Sequence, residues 1–216
     1  FLELSGKAIL QRTIEVFAEA CPGITVITVL PEDFVGYWKD YCYEHNFICP
    51  QIIVKGGITR FHSVRNALAK VPEGALVAVH DGVRPLVSRR LVADMFESAE
   101  DVPALVPVVP CVDTLKVLEK KGDDLIPVPG ASVDRSVLFG AQTPQIFHSE
   151  ILKEAYCQAY DTMFTDDASV VEYNAANELA TYFVKTANAL PTHNINCYTK
   201  LKLQKKAKWQ SLMRMT

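Results

Sequence analysis

The chain has 216 residues, of which 49% are hydrophobic and 22% charged, and its formal net charge is −3. This is an ordinary globular composition, and a chain of this length can bury a sizeable core without disulfides or metals. The slightly negative charge gives no general attraction to nucleic acid or to a membrane surface, so we expect neither as a partner. If the ligand is anionic, a few local residues must supply the positive charge that binds it.

Six cysteines are present, and their spacing indicates neither a disulfide framework nor a zinc site. No two of them form a C-x-x-C pair, and none is grouped with histidine at metal-ligand spacing. We therefore expect reduced thiols in a cytoplasmic protein, with no metal held by side chains alone. No apolar run approaches the roughly 18 residues of a membrane span. Because the chain begins with Phe1 rather than Met, a removed targeting segment stays open as an alternative.

The first half of the chain alternates predicted helices and strands. Apolar residues at helical spacing predict helices over residues 6–20, 33–45 and 60–70, and after Ser88, which would cap the fourth helix. Apolar runs rich in β-branched residues predict strands over residues 24–30, 51–55, 75–80 and 104–108. This order implies right-handed βαβ crossovers and a doubly wound α/β domain with a mainly parallel sheet.

The pattern changes after Pro107. Prolines and a glycine interrupt two short strand-like runs over residues 114–119 and 125–128, and the spacing is too short for crossover helices. We predict a hairpin or arm that projects from the sheet. Further helices are predicted over residues 149–159 and 166–173 and a strand over residues 181–184, and the tail over residues 200–208 is basic.

Ligands of open α/β sheets bind beyond the carboxyl ends of the strands, and three segments lie at such ends. The first covers residues 56–63. Gly56 and Gly57 would let the backbone approach a ligand closely, and the following helix N-terminus would offer free N–H groups. The alternative is a tight strand-to-helix turn that binds nothing.

The second segment covers residues 80–85. Asp81 leaves a buried strand and is followed by Gly82 and Arg84, so the carboxylate could hold a sugar hydroxyl and the guanidinium a phosphate. Alternatively, Asp81 only forms the turn and Arg84 only pairs with it.

The third segment covers residues 133–145. Arg135 can clamp a phosphate with two hydrogen bonds, and Thr143 can donate its hydroxyl to the same group. Alternatively, Asp134 forms a salt bridge with a basic residue and Thr143 caps a turn. Further along the chain, Thr165 is predicted as the N-cap of a helix whose first turn carries two carboxylates.

Seven segments occur in the same order as in the methylerythritol phosphate cytidylyltransferases, a family that the chain resembles over residues 1–185. They cover residues 1–10, 57–68, 80–88, 112–116, 133–135, 141–147 and 165–172. The resemblance implies a Rossmann-like nucleotidyltransferase fold with a projecting β-arm. It also implies cytidylyl transfer from CTP to 2-C-methyl-D-erythritol 4-phosphate, a sugar-alcohol phosphate. The products would be 4-diphosphocytidyl-2-C-methyl-D-erythritol and pyrophosphate, in isoprenoid precursor synthesis.

The resemblance also implies roles for nine positions. Gly57 and Ser63 would face the cytosine, and Asp81 with Gly82 the ribose and acceptor region. The groups expected around the acceptor and its phosphate are Arg84, Thr114, Arg135, Thr143 and Thr165. Of the nine, we expect Asp81, Arg84 and Arg135 to be catalytic. Magnesium is implied as a Lewis acid that is held mainly by the CTP phosphates.

Members of this family form homodimers whose projecting arms exchange. Residues 111–135 occupy the position of that arm. The resemblance therefore implies a homodimer in which Thr114 and Arg135 of one subunit complete the site of the other.

Two departures from the family pattern concern phosphate binding. The family begins with a strand and a glycine-rich loop, A-A-G-x-G-x-R-M, and P-K-Q just before the position of Phe1, none of which is in this chain. We therefore expect residues 1–216 to form a single nucleotidyltransferase domain without that strand and loop, and the intact protein to contain both. Near the other end, Asn196 stands where the family has a phosphate-binding lysine, and an uncharged amide cannot replace that cation.

Three alternatives compete with this interpretation. Ribitol 5-phosphate is a second possible acceptor, because the cytidylyltransferases that use it share the fold and several motifs. A catalytically inactive homologue that acts as a binding dimer would fit Asn196 and the absent loop. A dinucleotide-binding oxidoreductase is disfavoured, since no G-x-G-x-x-G occurs in the chain.

Overall fold

The computed structural model describes residues 1–174 and 181–185, so Asn196 and the basic tail lie outside the described residues. In chain order, the strands are β1 Glu3–Leu4, β2 Lys7–Ala8, β3 Val26–Leu30, β4 Gln51–Lys55, β5 Leu76–Val79, β6 Ala104–Pro110, β7 Leu118–Lys121, β8 Asp124–Pro127, β9 Phe139–Ala141, β10 Gln145–His148 and β11 Tyr182–Lys185. The helices are α1 Ile9–Ala20, α2 Glu32–Glu44, α3 Arg60–Leu68, α4 Arg89–Ala99, α5 Ser149–Ala155 and α6 Asp167–Asn174. None of these helices is long and apolar enough to cross a bilayer.

The helices and strands predicted over residues 24–108 are all present, with ends shifted by no more than two residues. Ser88 caps α4 as predicted, because its Oγ accepts a hydrogen bond from the Leu91 N–H at 3.1 Å. The predicted strand over residues 181–184 corresponds to β11. The helix predicted over residues 149–159 ends earlier, at Ala155.

The first helix begins later than predicted. It starts at Ile9 rather than at residue 6, because β1 and β2 form an antiparallel hairpin before it. The hairpin turn is made by Ser5 and Gly6, whose φ angles are +50° and +73°. Positive φ at both central residues is the geometry of a tight hairpin turn and cannot continue into a right-handed helix.

The largest sheet has the strand order β11-β6-β10-β5, and β9 pairs with the end of β6. The sequence did not predict β10, which runs antiparallel to both of its neighbours. Because β5 and β6 both oppose β10, they are parallel to each other, and β11 is parallel to β6. Apart from β10 and the short β9, the strands of this sheet therefore run in one direction, as a mainly parallel sheet requires.

Helices cover both faces of this sheet. Successive side chains of a strand point to opposite faces. Ala104 and Phe147 accordingly pack against α3, α5 and α6, whereas the next residue on β6, Leu105, and the preceding one on β10, Ile146, pack against α4. This arrangement confirms the predicted doubly wound α/β class.

A cleft separates the large sheet from a small one. β3 and β4 form a parallel pair of their own, and β3 makes no ladder with β5. The cleft between β3 and β5 has a volume of about 630 Å³, and α1 and α3 also line it. A strand that paired with both open edges would join the two sheets into one.

The predicted hairpin is present after β6. β7 and β8 pair in an antiparallel ladder in which Leu118 faces Pro127, and every residue of both strands is exposed. The first strand starts at Leu118 rather than at residue 114. Exposed large apolar side chains on and beside this arm are Val112, Leu115, Val117, Leu118, Leu125, Ile126, Val137 and Phe139. The role of residues 111–135 in dimerisation stays a prediction.

Candidate active site

The segment between β4 and α3 is a tight turn closed by its own hydrogen bonds. The Gly57 N–H donates to Ser63 Oγ at 3.0 Å, and the Ser63 hydroxyl donates to the Thr59 carbonyl oxygen at 3.0 Å. A Cβ on Gly57 would lie 2.4 Å from the Cβ of His62, so glycine is required there for packing alone. The structure thus brings Gly57 and Ser63 together and confirms the turn. Their role at the cytosine stays a prediction.

Three of the predicted site residues lie close together at the end of β5. Arg84 Nε donates to Asp81 Oδ2 at 2.9 Å, and Arg84 Nη1 donates to Gln142 Oε1 at 2.6 Å. The Asp81 N–H donates to Thr143 Oγ1 at 3.4 Å, across 62 residues of sequence. The side chains of Arg84 and Asp81 are 47% and 35% exposed, so a ligand can reach both. We call Asp81, Arg84, Gln142 and Thr143 the exposed cluster.

Gly82 fixes the backbone of this cluster against α1. Its carbonyl oxygen accepts a hydrogen bond from Thr13 Oγ1 at 2.9 Å. A Cβ on Gly82 would lie 2.9 Å from Leu10 Cδ1, which is the end of a flexible side chain that can move aside. The backbone at the position predicted to face the ribose is therefore held by the hydrogen bond from Thr13.

His80 lies at the base of the exposed cluster. Its Nε2 is 3.1 Å from the Arg84 carbonyl oxygen, and its ring packs against Phe17 with 4.9 Å between the ring centroids. Its Nδ1 is buried and has no hydrogen-bond partner among the described residues. Burial lowers the pKa of His80 below its ordinary value, so the imidazole is neutral and donates from Nε2 to the loop that carries Arg84.

The remaining predicted basic residue lies on the arm. Arg135 Nη1 donates to the carbonyl oxygens of Val112 at 3.0 Å and Asp113 at 3.5 Å, immediately before Thr114. The structure therefore brings Arg135 close to the segment of Thr114. In the described part of the chain, no hydrogen bond links either side chain to the exposed cluster.

The alternative considered for Asp134 and the predicted cap of α6 both differ from the structure. Asp134 forms no salt bridge among the described residues; its Oδ1 accepts hydrogen bonds from the Ser136 hydroxyl and N–H, which lower the pKa of Asp134. The N-cap of α6 is Asp166 rather than Thr165, because Asp166 Oδ1 accepts the Ser169 N–H at 2.9 Å. Ser169 Oγ accepts the Asp166 N–H in return, at 3.1 Å, which completes a reciprocal cap. The hydroxyl of Thr165 is left available at the surface.

A buried ion pair was not predicted. Asp167 is 0% exposed and accepts two hydrogen bonds from the guanidinium of Arg60, one of them at 3.0 Å to Nη1, and another at 2.6 Å from the Tyr156 hydroxyl. Burial disfavours the charge of Arg60, but Asp167 outweighs that effect and raises the pKa of Arg60. Burial and then the neighbouring Asp167 charge raise the pKa of Tyr156, so its hydroxyl stays protonated. We call Arg60, Tyr156 and Asp167 the buried cluster.

Gln145 ties the same region to the large sheet. It is 1% exposed, its Nε2 donates to Asp166 Oδ2 at 2.7 Å, and its Oε1 accepts the Ala168 N–H at 3.0 Å. Since Gln145 follows Thr143 by two residues, this contact links the exposed cluster to the start of α6. The sequence offered one signal, because residues 141–147 form one of the seven matching segments.

The cleft between the sheets brings the first two segments together. Arg60, Ser63, Asp81 and Gly82 all line it, and Asp81 makes a small contribution to the raised pKa of Arg60. The start of α3 and the end of β5 therefore both contribute residues to the cleft. These polar groups lie beside the apolar side chains of β3, β5 and the flanking helices that line most of the cleft.

A metal ion would have to be held with the help of the substrate. Among the described residues, no three His, Cys, Asp or Glu side chains are grouped as metal ligands. Asp81 is the one carboxylate among the described residues that line the cleft. This donor set fits a magnesium ion carried by nucleotide phosphates, since Mg²⁺ is commonly bound through one or two carboxylates plus phosphate oxygens.

The sequence profile of the 2-C-methyl-D-erythritol 4-phosphate cytidylyltransferases matches residues 1–179. The protein of that name from Phocaeicola vulgatus is 46% identical over 172 residues, which are 80% of this chain and 75% of the relative. The one from Porphyromonas gingivalis (strain ATCC 33277) is 43% identical over 180 residues, which are 83% of this chain and 77% of the relative.

Solved structures give the same result. The 2-C-methyl-D-erythritol 4-phosphate cytidylyltransferase of Thermus thermophilus superposes with a TM-score of 0.65 at 29% identity, covering 88% of this chain and 83% of that one. The 4-diphosphocytidyl-2C-methyl-D-erythritol synthase of Anaerococcus prevotii gives a TM-score of 0.69 at 22% identity, over 86% of this chain and 79% of that one, and supports the fold alone. On its sequence and its fold, this chain belongs to the 2-C-methyl-D-erythritol 4-phosphate cytidylyltransferase family.

Proposed function

We propose that this protein transfers a cytidylyl group from CTP to 2-C-methyl-D-erythritol 4-phosphate, releasing pyrophosphate and forming 4-diphosphocytidyl-2-C-methyl-D-erythritol. The observation that carries the proposal is the exposed cluster at the end of β5, in a chain of this family. Asp81 and Arg84 are held at 2.9 Å from each other, yet both are partly exposed beside a cleft. A carboxylate for a sugar hydroxyl and a guanidinium for a phosphate are the two groups that the reaction needs there.

The reaction is an in-line displacement. A phosphate oxygen of the acceptor attacks the α-phosphorus of CTP, the new P–O bond forms, and the bond to the leaving pyrophosphate breaks. The protein contributes position and charge neutralisation rather than a covalent intermediate. Arg84 would neutralise charge on the reacting phosphates, Thr143 would donate a hydrogen bond to the acceptor phosphate, and Asp81 would orient a hydroxyl.

The other predicted residues complete this assignment. Gly57 and Ser63 would present the turn before α3 to the cytosine, and Gly82 would hold the backbone next to the ribose. Thr165, which does not cap α6, has its hydroxyl available for the acceptor. Magnesium, when bound with CTP, supplies Lewis-acid neutralisation of the phosphate charge.

Arg135 and Thr114 are assigned to the site of a partner subunit. The support is their place on the arm, whose side chains are exposed and include a group of large apolar residues. Such a surface is typical of an interface rather than of a free monomer surface. A homodimer with exchanged arms would bury it and would bring the guanidinium of Arg135 to the other subunit's exposed cluster.

A cytoplasmic location is the last part of the proposal. Its support is that the five described cysteines, Cys21, Cys42, Cys49, Cys111 and Cys157, are all free. Free thiols persist in a reducing compartment. Fractionation of the source cells would test it, and recovery of the protein from an oxidising compartment would contradict it.

Pyrophosphate release by the full-length protein tests the reaction. CTP and magnesium are supplied with either 2-C-methyl-D-erythritol 4-phosphate or ribitol 5-phosphate. We expect release with the first acceptor and at least tenfold less with the second. Release mainly with ribitol 5-phosphate would reassign the acceptor, and no release with either would favour the inactive binding dimer.

Mixing two inactive variants tests the exchanged arm. Arg84→Ala and Arg135→Ala each inactivate a homodimer, but a mixed dimer contains one site with both arginines if the arm crosses. We expect mixing after reversible dissociation to restore up to about a quarter of the wild-type activity, since half the dimers are mixed and each has one complete site. No recovery, with dimers confirmed by light scattering, would place Arg135 in its own subunit's site.

A further inference from the structure

The buried cluster joins the starts of two helices that each follow a segment assigned to a substrate. Arg60 is the first residue of α3, directly after the turn that holds Gly57, and Asp167 is the first residue of α6, two residues after Thr165. The two side chains form a bidentate ion pair across 107 residues of sequence. No other described ion pair has a partner that is 0% exposed.

The aromatic residues around the pair make it rigid. Tyr156 donates its hydroxyl to Asp167 at 2.6 Å, while its ring stacks on Phe61 with 4.6 Å between the centroids. Phe61 follows Arg60 in the chain and also stacks on Phe164, next to Thr165, with 5.6 Å between the centroids. A shift of the turn before α3 therefore cannot occur without a shift at the start of α6.

Stability alone is a poor explanation for such a pair. Burying the Asp167 carboxylate costs desolvation energy that offsets much of its attraction to Arg60, and well-packed apolar residues of the same size often stabilise a fold as well. What a bidentate Arg–carboxylate pair provides that apolar contacts do not is a fixed geometry between the two groups. The pair therefore fixes the position of the turn that holds Gly57 relative to the segment that holds Thr165.

We propose that the buried cluster couples the two substrate segments, so that binding of either substrate strengthens binding of the other. Arg60, Tyr156 and Asp167 are positioning residues: each acts through the backbone it holds. This inference rests on the proposed function, which assigns Gly57 to the nucleotide and Thr165 to the acceptor. Binding energy from one substrate would order the segment that meets the other, which is how remote contacts align two reactants.

Equilibrium binding to the full-length protein tests the proposal without turnover. The Kd of a non-reactive CTP analogue with a methylene group between the α- and β-phosphates is measured by titration calorimetry, with magnesium, in the absence and presence of saturating 2-C-methyl-D-erythritol 4-phosphate. The ratio of the two constants is the coupling factor. We expect at least fivefold tighter binding with the acceptor in the wild type, and a factor below two in Asp167→Asn, which keeps the size of the side chain but loses its charge.

Two further variants keep the test decisive. Tyr156→Phe retains the stacked ring and removes one hydrogen bond, so it should fold even if Asp167→Asn fails to fold. We expect it to lower the coupling factor by about half. Arg89→Lys changes the exposed ion pair with Glu19 and should leave the factor unchanged. A coupling factor of one in the wild type, or an unchanged factor in a folded Tyr156→Phe or Asp167→Asn variant of reduced stability, would overturn the proposal.

Failure of the proposed function gives a different result. It would appear as the absence of pyrophosphate release by the wild type with CTP and 2-C-methyl-D-erythritol 4-phosphate. An active wild type whose variants keep the coupling factor would leave the proposed function intact and refute the coupling alone.

Discussion

Two arginine–aspartate pairs each have one member that lines the cleft, and they differ mainly in the burial of the aspartate. In the buried cluster, Asp167 is 0% exposed and accepts every hydrogen bond that Arg60 and Tyr156 direct to it. In the exposed cluster, Asp81 and Arg84 remain 35% and 47% exposed. An aspartate closed off from water holds its arginine in a fixed geometry, whereas an aspartate open to water can exchange that partner for a ligand. The same two residue types thus provide a support in the buried cluster and ligand contacts in the exposed cluster.

Asp167→Ala should produce the largest change and should affect folding. It leaves the Arg60 charge and the Tyr156 hydroxyl without their shared acceptor, which we expect to lower the free energy of unfolding by about 3 kcal/mol. This is the low end for a broken buried pair, because the side chain of Arg60 is still 41% exposed. Urea unfolding of the full-length protein measures it.

The matched control is Asp94→Ala, which breaks a surface pair with Arg90 at 3.6 Å. We expect its free energy of unfolding to change by no more than about 0.5 kcal/mol, since exposed ion pairs contribute little. Equal losses in the two variants would remove the distinction between the buried and the exposed pairs.

Arg84→Ala should show the opposite pattern: an activity loss without a folding defect. Removing one charge-stabilising donor typically lowers kcat by about 10²–10³-fold, and we expect a loss of that size in kcat/KM for pyrophosphate release. The free energy of unfolding should stay within about 0.5 kcal/mol of the wild type. Arg90→Ala on α4 is the control and should retain full activity. A loss of less than about threefold in Arg84→Ala would exclude that side chain from the chemistry.

Gly57→Ala tests the turn that the buried cluster supports. The added methyl group would meet the Cβ of His62 at 2.4 Å, so the start of α3 must move. We expect a loss of about 1–3 kcal/mol in the free energy of unfolding, together with weaker CTP binding. Gly36→Ala is the matched control, because α2 has open space at that position and alanine should stabilise the helix by about 0.5–1 kcal/mol. A neutral Gly57→Ala variant would show that the turn is easily displaced.

His80, at the base of the exposed cluster, should give the smallest effect, a pH dependence. Burial places its folded-state pKa below the value of about 6.5 that an unfolded chain has. At pH values between the folded-state and the unfolded-state pKa of His80, the unfolded chain binds more protons than the folded protein. The free energy of unfolding must therefore fall as pH is lowered from about 7 through the folded-state pKa. His80→Asn should flatten this part of the profile. An identical slope in wild type and variant would mean that His80 titrates normally.

Local sequence patterns predicted the alternating elements of the fold well but missed the pairing between distant strands. The buried strand runs and the Ser88 cap depend on neighbouring residues, and all of them are present. β10 was missed because its four residues begin and end with polar side chains, Gln145 and His148, and it pairs with β5 and β6 from far along the chain. No local periodicity indicates which strand will be inserted between two others.

The candidate site likewise contains residues that local patterns identify and contacts that only the fold reveals. Asp81 and Arg84 could be identified because they follow the carboxyl end of a buried parallel strand. Thr143 precedes the antiparallel β10, and its signal was the matching segment over residues 141–147. The pair of Arg60 with Asp167 could not be identified, because each residue has a complete local explanation: a polar residue at a helix start, and an acidic residue that complements a helix dipole. Only the fold shows that the two helix starts lie side by side.

The interruption between β3 and β5 has a consequence for hydrogen exchange. With no ladder between the two sheets, the amides of the β3–β4 pair can open without breaking the hydrogen bonds of β6 and β10. For the chain of residues 1–216 we expect at least two cooperative opening units, with faster exchange in Val26–Leu30 than in Gln145–His148 at the same pH and temperature. Any segment that pairs with both open edges would merge these units, and the slow and fast amide populations would converge.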